Sequence, residues 1–109
     1  MQFPFSIVAA GILPQGLAPA AKSQLCKGCT GLNVGAGSWA ITTDDPTIAP
    51  GNSVLILSPG SGSNLPQGVS FGQSAQVGNQ FFPQLYRNDT GAVVDFEIQF
   101  MIIRLPADR

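Results

Sequence analysis

The chain has 109 residues, enough for one domain, with 44% of them apolar, only 10% charged, a net charge of −1 and no histidine. Its five basic residues are scattered along the chain, so no cationic patch favours nucleic acid, and the lack of histidine removes the commonest general base and metal ligand. The apolar fraction is too high for a disordered chain, and the charged fraction lies well below the roughly 25% of an ordinary soluble domain. A free monomer would have little charge to keep it in solution. The composition therefore favours a chain packed among neighbours over a secreted domain rich in neutral polar residues.

With 13 glycines and nine prolines spread along the sequence, no helical window of useful length survives. Phe3–Leu13 is an apolar run broken by Pro4 and Gly11. It reads as an extended arm or a first strand, with Phe3, Phe5 and Ile7 on one face and Pro4 suited to an edge. A secretory signal is not expected there, because no basic residue precedes Lys22, and the run is too short and broken for a membrane helix. Pro14–Ala21 reads as a linker or turn. Gly31–Val34 carries a short strand within a glycine-rich stretch.

Ser38–Thr43 reads as a strand with Trp39 and Ile41 on one face, ended by the Asp44-Asp45-Pro46 turn. Ala49–Asn52 is a Pro-Gly turn. Ser53–Ser58 (SVLILS) is a continuous apolar run, expected as a central strand covered on both faces. Ser58–Gly68 is a polar loop and the candidate contact loop, with Ser61, Ser63 and Asn64 at its exposed tip. Val69–Phe71 and Ala75–Arg87 read as strands, the second interrupted by Pro83 at an edge or bulge. Asn88–Gly91 has hairpin-turn composition.

The final segment, Ala92–Leu105 (AVVDFEIQFMIIRL), is the most informative. Val94, Phe96, Ile98, Phe100 and Ile102 alternate with Asp95, Glu97 and Gln99, the period of a half-buried strand. Toward its end Met101, Ile103 and Leu105 make the second face apolar as well, so that face calls for a partner of its own. The pattern as a whole predicts an all-β chain: one small, jelly-roll-like β-sandwich over residues 22–109, preceded by an extended arm and linker over residues 1–21.

No constellation points to catalysis, and neither a catalytic residue, a metal ligand set nor a cofactor is assigned. Cys26-Lys27-Gly28-Cys29 is a CxxC, but a thioredoxin-type site needs a helix start in an α/β fold, and a zinc site needs two further ligands. A disulfide, or two plain thiols in a tight turn, is the simpler reading. Asp44-Asp45 suits a turn better than a Ca²⁺ site. Asp95 and Glu97 share one strand face, as paired carboxylates do, but no pocket residues support a glycosidase. Asn88-Asp89-Thr90 is a glycosylation sequon, and Gly35-Ala36-Gly37 lacks the GK[ST] of a phosphate loop. Trp39, Phe81, Phe82 and Tyr86 would stack on a sugar if exposed, but aromatics at strand spacing belong more often to a core.

The tail QLYRNDTGAVVDFEIQFMIIRLP, with its Asn-x-Thr-Gly turn between two strands, resembles the closing hairpin of small β-sandwich phage virion proteins: capsid decoration proteins, head fibres and tail-fibre tips. The resemblance covers about the last quarter of the chain, residues 80–105. It implies a non-enzymatic virion component, a homotrimer that contacts other capsid proteins, with no nucleic acid and no membrane partner. The expected oligomer interface comprises Phe3, Phe5, Phe100, Met101, Ile103 and Leu105. A carbohydrate-binding module with a glycan ligand is the alternative.

Overall fold

The computed structural model describes residues 6–35, 37–60 and 67–106. They form two antiparallel sheets packed face to face, a small β-sandwich with no α-helix among the described residues. The strands are β1 (Ser6–Leu13), β2 (Cys26–Lys27), β3 (Cys29–Gly35), β4 (Ser38–Thr43), β5 (Ser53–Pro59), β6 (Val69–Val77), β7 (Gln80–Arg87), β8 (Val93–Val94) and β9 (Ile98–Arg104). Sheet A has the order β2-β1-β9-β5; sheet B has the order β3-β4-β7-β6, with β8 added to β7. No helix is long and apolar enough to cross a membrane among the described residues.

The alternation in the sequence sets which side chains meet between the sheets. Ala9 and Leu13 of β1 and Ile98, Phe100 and Ile102 of β9 face inward from sheet A; Trp39, Ile41, Phe81 and Leu85 face them from sheet B. Leu55 and Leu57 of β5 and Val69 and Phe71 of β6 pack around this centre. Ile48, in the loop between β4 and β5, is also buried and plugs one end of the core.

Four expectations are revised. First, residues 6–13 are not an arm preceding the sandwich but a strand inside it: β1 lies between β2 and β9 and pairs with both. Of the two readings of this run, the first-strand one describes residues 6–13, which belong to the sandwich. Ala9 and Leu13 of the apolar run complete the core and Ile7 stays exposed, while Phe3 and Phe5 lie outside the described residues.

Second, β5 is an edge strand, covered on one face only: Val54 and Ile56 remain 40% and 44% exposed while Leu55 and Leu57 turn inward. A continuous apolar run cannot distinguish two covered faces from one covered face and one apolar open face.

Third, Ala92–Leu105 is not one strand. The chain leaves sheet B after β8, crosses at Asp95–Glu97 and enters sheet A as β9. Asp95 Oδ2 accepts from the Gly16 N–H at 3.0 Å and the Glu97 carbonyl accepts from the Gly60 N–H at 3.0 Å, which fix the crossing. The inward alternation persists through the break, with Val94 and Phe96 against the core.

Fourth, Ala75–Arg87 is not one strand: residues 75–77 end β6, Gly78 and Asn79 turn the chain, and Pro83 lies in the interior strand β7, beside a register shift and not at an edge. β4 pairs with β7 on either side of it, at Ser38↔Gln84 and Ile41↔Phe81, and the register of β6 shifts just beyond its partner Gln73. A bulge on the neighbouring strand is one way a sheet accommodates a residue without an N–H. The Asn88–Gly91 turn forms as expected, with Gly91 at φ 76° and its N–H bonded to the Arg87 carbonyl at 2.8 Å.

Candidate functional site

The outer face of sheet A carries the most unusual surface among the described residues. Three registers cross it: Ile7 beside Ile103 beside Val54, Ala10 beside Met101 beside Ile56, and Ile12 beside Gln99 beside Ser58. Directly opposed residues of antiparallel strands share a face, so the first two rows are wholly apolar. Ile7 is 58% exposed, Val54 and Ile56 are open, and Met101 and Ile103 are half-buried among them. A shallow depression of about 190 Å³ lies along β5 and β9 beside Ile56, Ser58, Gln99 and Met101. β5 bounds this face as an edge strand with no neighbour on its far side among the described residues.

The expected interface residues separate by strand parity. Met101 and Ile103 stand on the outer face, and Leu105 is exposed just past β9. Phe100 does not join them: it is 5% exposed and points into the core between Ile98 and Ile102. Its even position on an alternating strand already assigned it to the buried face. Ser61, Ser63 and Asn64 of the expected contact loop, like Phe3 and Phe5, lie outside the described residues. Val54 and Ile56 belong to the face but were not singled out from the sequence, and Ile7 was grouped only with Phe3 and Phe5; the register sets all three beside Met101 and Ile103.

The aromatic residues do not make a platform. Trp39 and Phe81 are each 1% exposed in the core, while Phe82 and Tyr86 lie half-buried on the other face of sheet B. The Tyr86 ring covers Gly72, where a Cβ would come within 2.7 Å of Cε1.

Asp45 forms a turn, as its neighbours suggest. Its Oδ1 accepts from the Thr47 N–H at 2.9 Å and the Thr47 hydroxyl at 2.6 Å, and its Oδ2 accepts from Arg104 Nη2 at 2.5 Å. Thr47, followed by Arg104, holds the Asp45 carboxyl at about 2, below its ordinary value. No cluster of three or more His, Cys, Asp or Glu that could hold a metal occurs among the described residues.

A buried asparagine that the sequence reading passed over ties the 14–25 segment to sheet B. Asn33 Nδ2 donates to the Leu17 carbonyl at 2.7 Å and its Oδ1 accepts from the Gly35 N–H at 2.9 Å. The backbone beside it pairs through Ala20 N–H to Asn33 O and Asn33 N–H to Ala21 O. Asn in a glycine-rich strand, followed two residues on by Gly35, was the available signal.

The CxxC sits at the seam of the two sheets. Cys26 is in β2 of sheet A, opposite Gly11, and Cys29 opens β3 of sheet B, opposite Thr43. Both are free thiols, half-buried against the core. Gly28 turns the chain between them at φ 75°, and a Cβ there would lie 2.3 Å from the Val8 carbonyl oxygen. Val8 is the extra residue where the β1 register shifts, and the Asp44 N–H holds the Gly28 carbonyl at 2.9 Å. A Cβ at Gly11 or Gly31 would come within 3.1 or 3.2 Å of Cys26 Sγ. A glycine from each sheet thus makes room for that sulfur.

The two thiols shift one another's ionisation in opposite directions. Cys29 pulls the Cys26 thiol down to about 6, against the opposing effect of burial. Cys26, burial and the charge of Asp44 push Cys29 up. Ser23, whose hydroxyl also donates to the Ile12 carbonyl at 2.6 Å, and the Gly31 backbone lower Cys26 by less.

No family model matches the chain, and neither a curated protein nor a solved structure matches it.

Proposed function

We propose that this chain is a structural component of a phage virion, of the capsid-decoration type, which acts by assembling with copies of itself and seating on a larger protein shell. The observation that carries this reading is the apolar outer face of sheet A, where Ile7, Ile103, Val54, Ala10, Met101 and Ile56 stand together. Apolar side chains gathered on one open sheet face, rather than scattered singly, suit contact with another protein. Three strands about 4.8 Å apart and some five residues long make it roughly 250 Å². It is therefore the apolar centre of a contact, since a stable interface takes about 800 Å² from each partner. Low charge supports the same reading, and the sequence resemblance of residues 80–105 favours a trimer. The carbohydrate-binding alternative loses its main support with Trp39 and Phe81 in the core.

The test is the mass of the recombinant chain in solution by light scattering on a sizing column. A trimer or larger assembly that Ile56→Lys reduces to folded monomers is the expected result. A monomer at every accessible concentration, with no affinity for phage shells, would overturn the proposal.

A further inference from the structure

We propose that Cys26 and Cys29 form a working dithiol–disulfide couple, with Cys26 as the nucleophile and Cys29 as the resolving thiol, which exchanges with small disulfides such as oxidised glutathione. The geometry is that of a built site. The two cysteines stand at the ends of a four-residue turn, each half-buried against the core. Gly28 closes that turn in a left-handed conformation that a side chain would not tolerate, packed on Val8 and held by Asp44. Gly11 and Gly31 leave the space that Cys26 Sγ occupies, so the sulfur is placed by the backbone of both sheets. Cys26 is also in an edge strand and half-exposed, which gives a small disulfide an approach. β1 carries no titratable side chain; the charged groups nearby are Lys27 on β2 and Asp44 after β4.

The asymmetry between the thiols assigns the roles. A thiolate attacks a disulfide and a thiol does not. Cys26 is the sulfur that Cys29 stabilises in the charged form. The Cys26 thiolate attacks one sulfur of the small disulfide, forming a mixed disulfide and expelling one thiolate. Cys26 then no longer bears the charge that held Cys29 protonated, which leaves burial and Asp44 as the remaining restraints. Cys29 gives its proton to the departing thiolate and attacks Cys26 Sγ, releasing the second small thiol. The protein dithiol loses two electrons and two protons, and the small disulfide gains them as two thiols. The resulting bond ties β2 of sheet A to β3 of sheet B at the seam of the sandwich.

The experiment uses the full chain equilibrated in glutathione buffers of graded ratio, quenched with acid and read by intact mass. The expected result is a single species lighter by two hydrogens as the oxidised form increases, with no glutathione retained. In the fully reduced protein at pH 7, iodoacetamide labels Cys26 at least about tenfold faster than Cys29, as the more ionised thiol. Cys29→Ser, which removes the resolving thiol, accumulates a glutathione adduct on Cys26. Cys26→Ser accumulates little adduct. Circular dichroism verifies that each variant is folded. Failure of the wild-type chain to form the internal disulfide at any ratio, or faster labelling of Cys29, would overturn the proposal. It is independent of oligomeric state, so its outcome is separate from that of the assembly test.

Discussion

Phe100 and Met101 are neighbours on β9 with opposite surroundings, and substituting each in turn tests the assignment of the two faces. Phe100 is 5% exposed among Ile98, Ile102 and the opposing sheet. Phe100→Ala removes nearly all of a buried ring and leaves a cavity, at a cost of about 3–5 kcal/mol. A domain of this size has roughly 5–15 kcal/mol of stability in total. At roughly 4 °C per kcal/mol, the melting temperature falls by about 12–20 °C. Met101 points the other way, between Ala10 and Ile56. Met101→Lys places a charge on the open face and changes the intrinsic stability of one chain by about 0.5 kcal/mol or less, yet it breaks up any assembly built on that face. The assay is thermal unfolding by circular dichroism over a hundredfold range of protein concentration, because assembly makes the midpoint concentration-dependent. Phe100→Ala lowers the midpoint equally at every concentration, whereas Met101→Lys removes the concentration dependence. Equal losses from both variants at high dilution, or a tolerated Phe100→Ala, would refute the parity argument and the assembly face with it.

Three further outcomes are expected. Gly28→Ala introduces a Cβ 2.3 Å from the Val8 oxygen at a positive φ and costs about 1–3 kcal/mol, seen as a lower midpoint in urea and faster amide exchange at Gly11 and Gly31. Asn33→Ala leaves the Leu17 carbonyl and the Gly35 N–H without their partner, for a loss of about 1–3 kcal/mol; Asn33→Leu offers no rescue. Asp45 is held at about 2 in the folded chain against an ordinary 3.8, so it contributes stability above about pH 4 that is lost as the pH falls toward 2. In Asp45→Asn, unfolding titrations between pH 2 and 5 show a correspondingly flatter pH dependence.

Much of the architecture was legible locally. Alternation at Val94, Phe96, Ile98, Phe100 and Ile102 identified the core-facing residues of the closing segment, and the turn chemistry of Asn88–Gly91 placed the turn after β7, because both depend only on residues close in the chain. The apolar second face at Met101 and Ile103 was legible for the same reason, whereas Ile7, Val54 and Ile56 joined it only through pairing across three strands. Phe100 was readable as core from its parity, although it lies at the strand end that is apolar on both faces and was grouped there with the interface residues.

Composition and strand period were enough to establish that the chain is all-β, that residues 94–102 alternate toward a core, and that charge and histidine are scarce. Tertiary structure decided which strands are neighbours: β1 beside β9, β5 at an edge, and the crossing at Asp95–Glu97 that moves the chain from one sheet to the other. It also decided that Cys26 lies between Gly11 and Gly31, which turns an unremarkable CxxC into a placed pair of thiols. The physical reason is that strand period is a property of one segment, whereas register and sheet membership are set by backbone hydrogen bonds between segments distant in sequence.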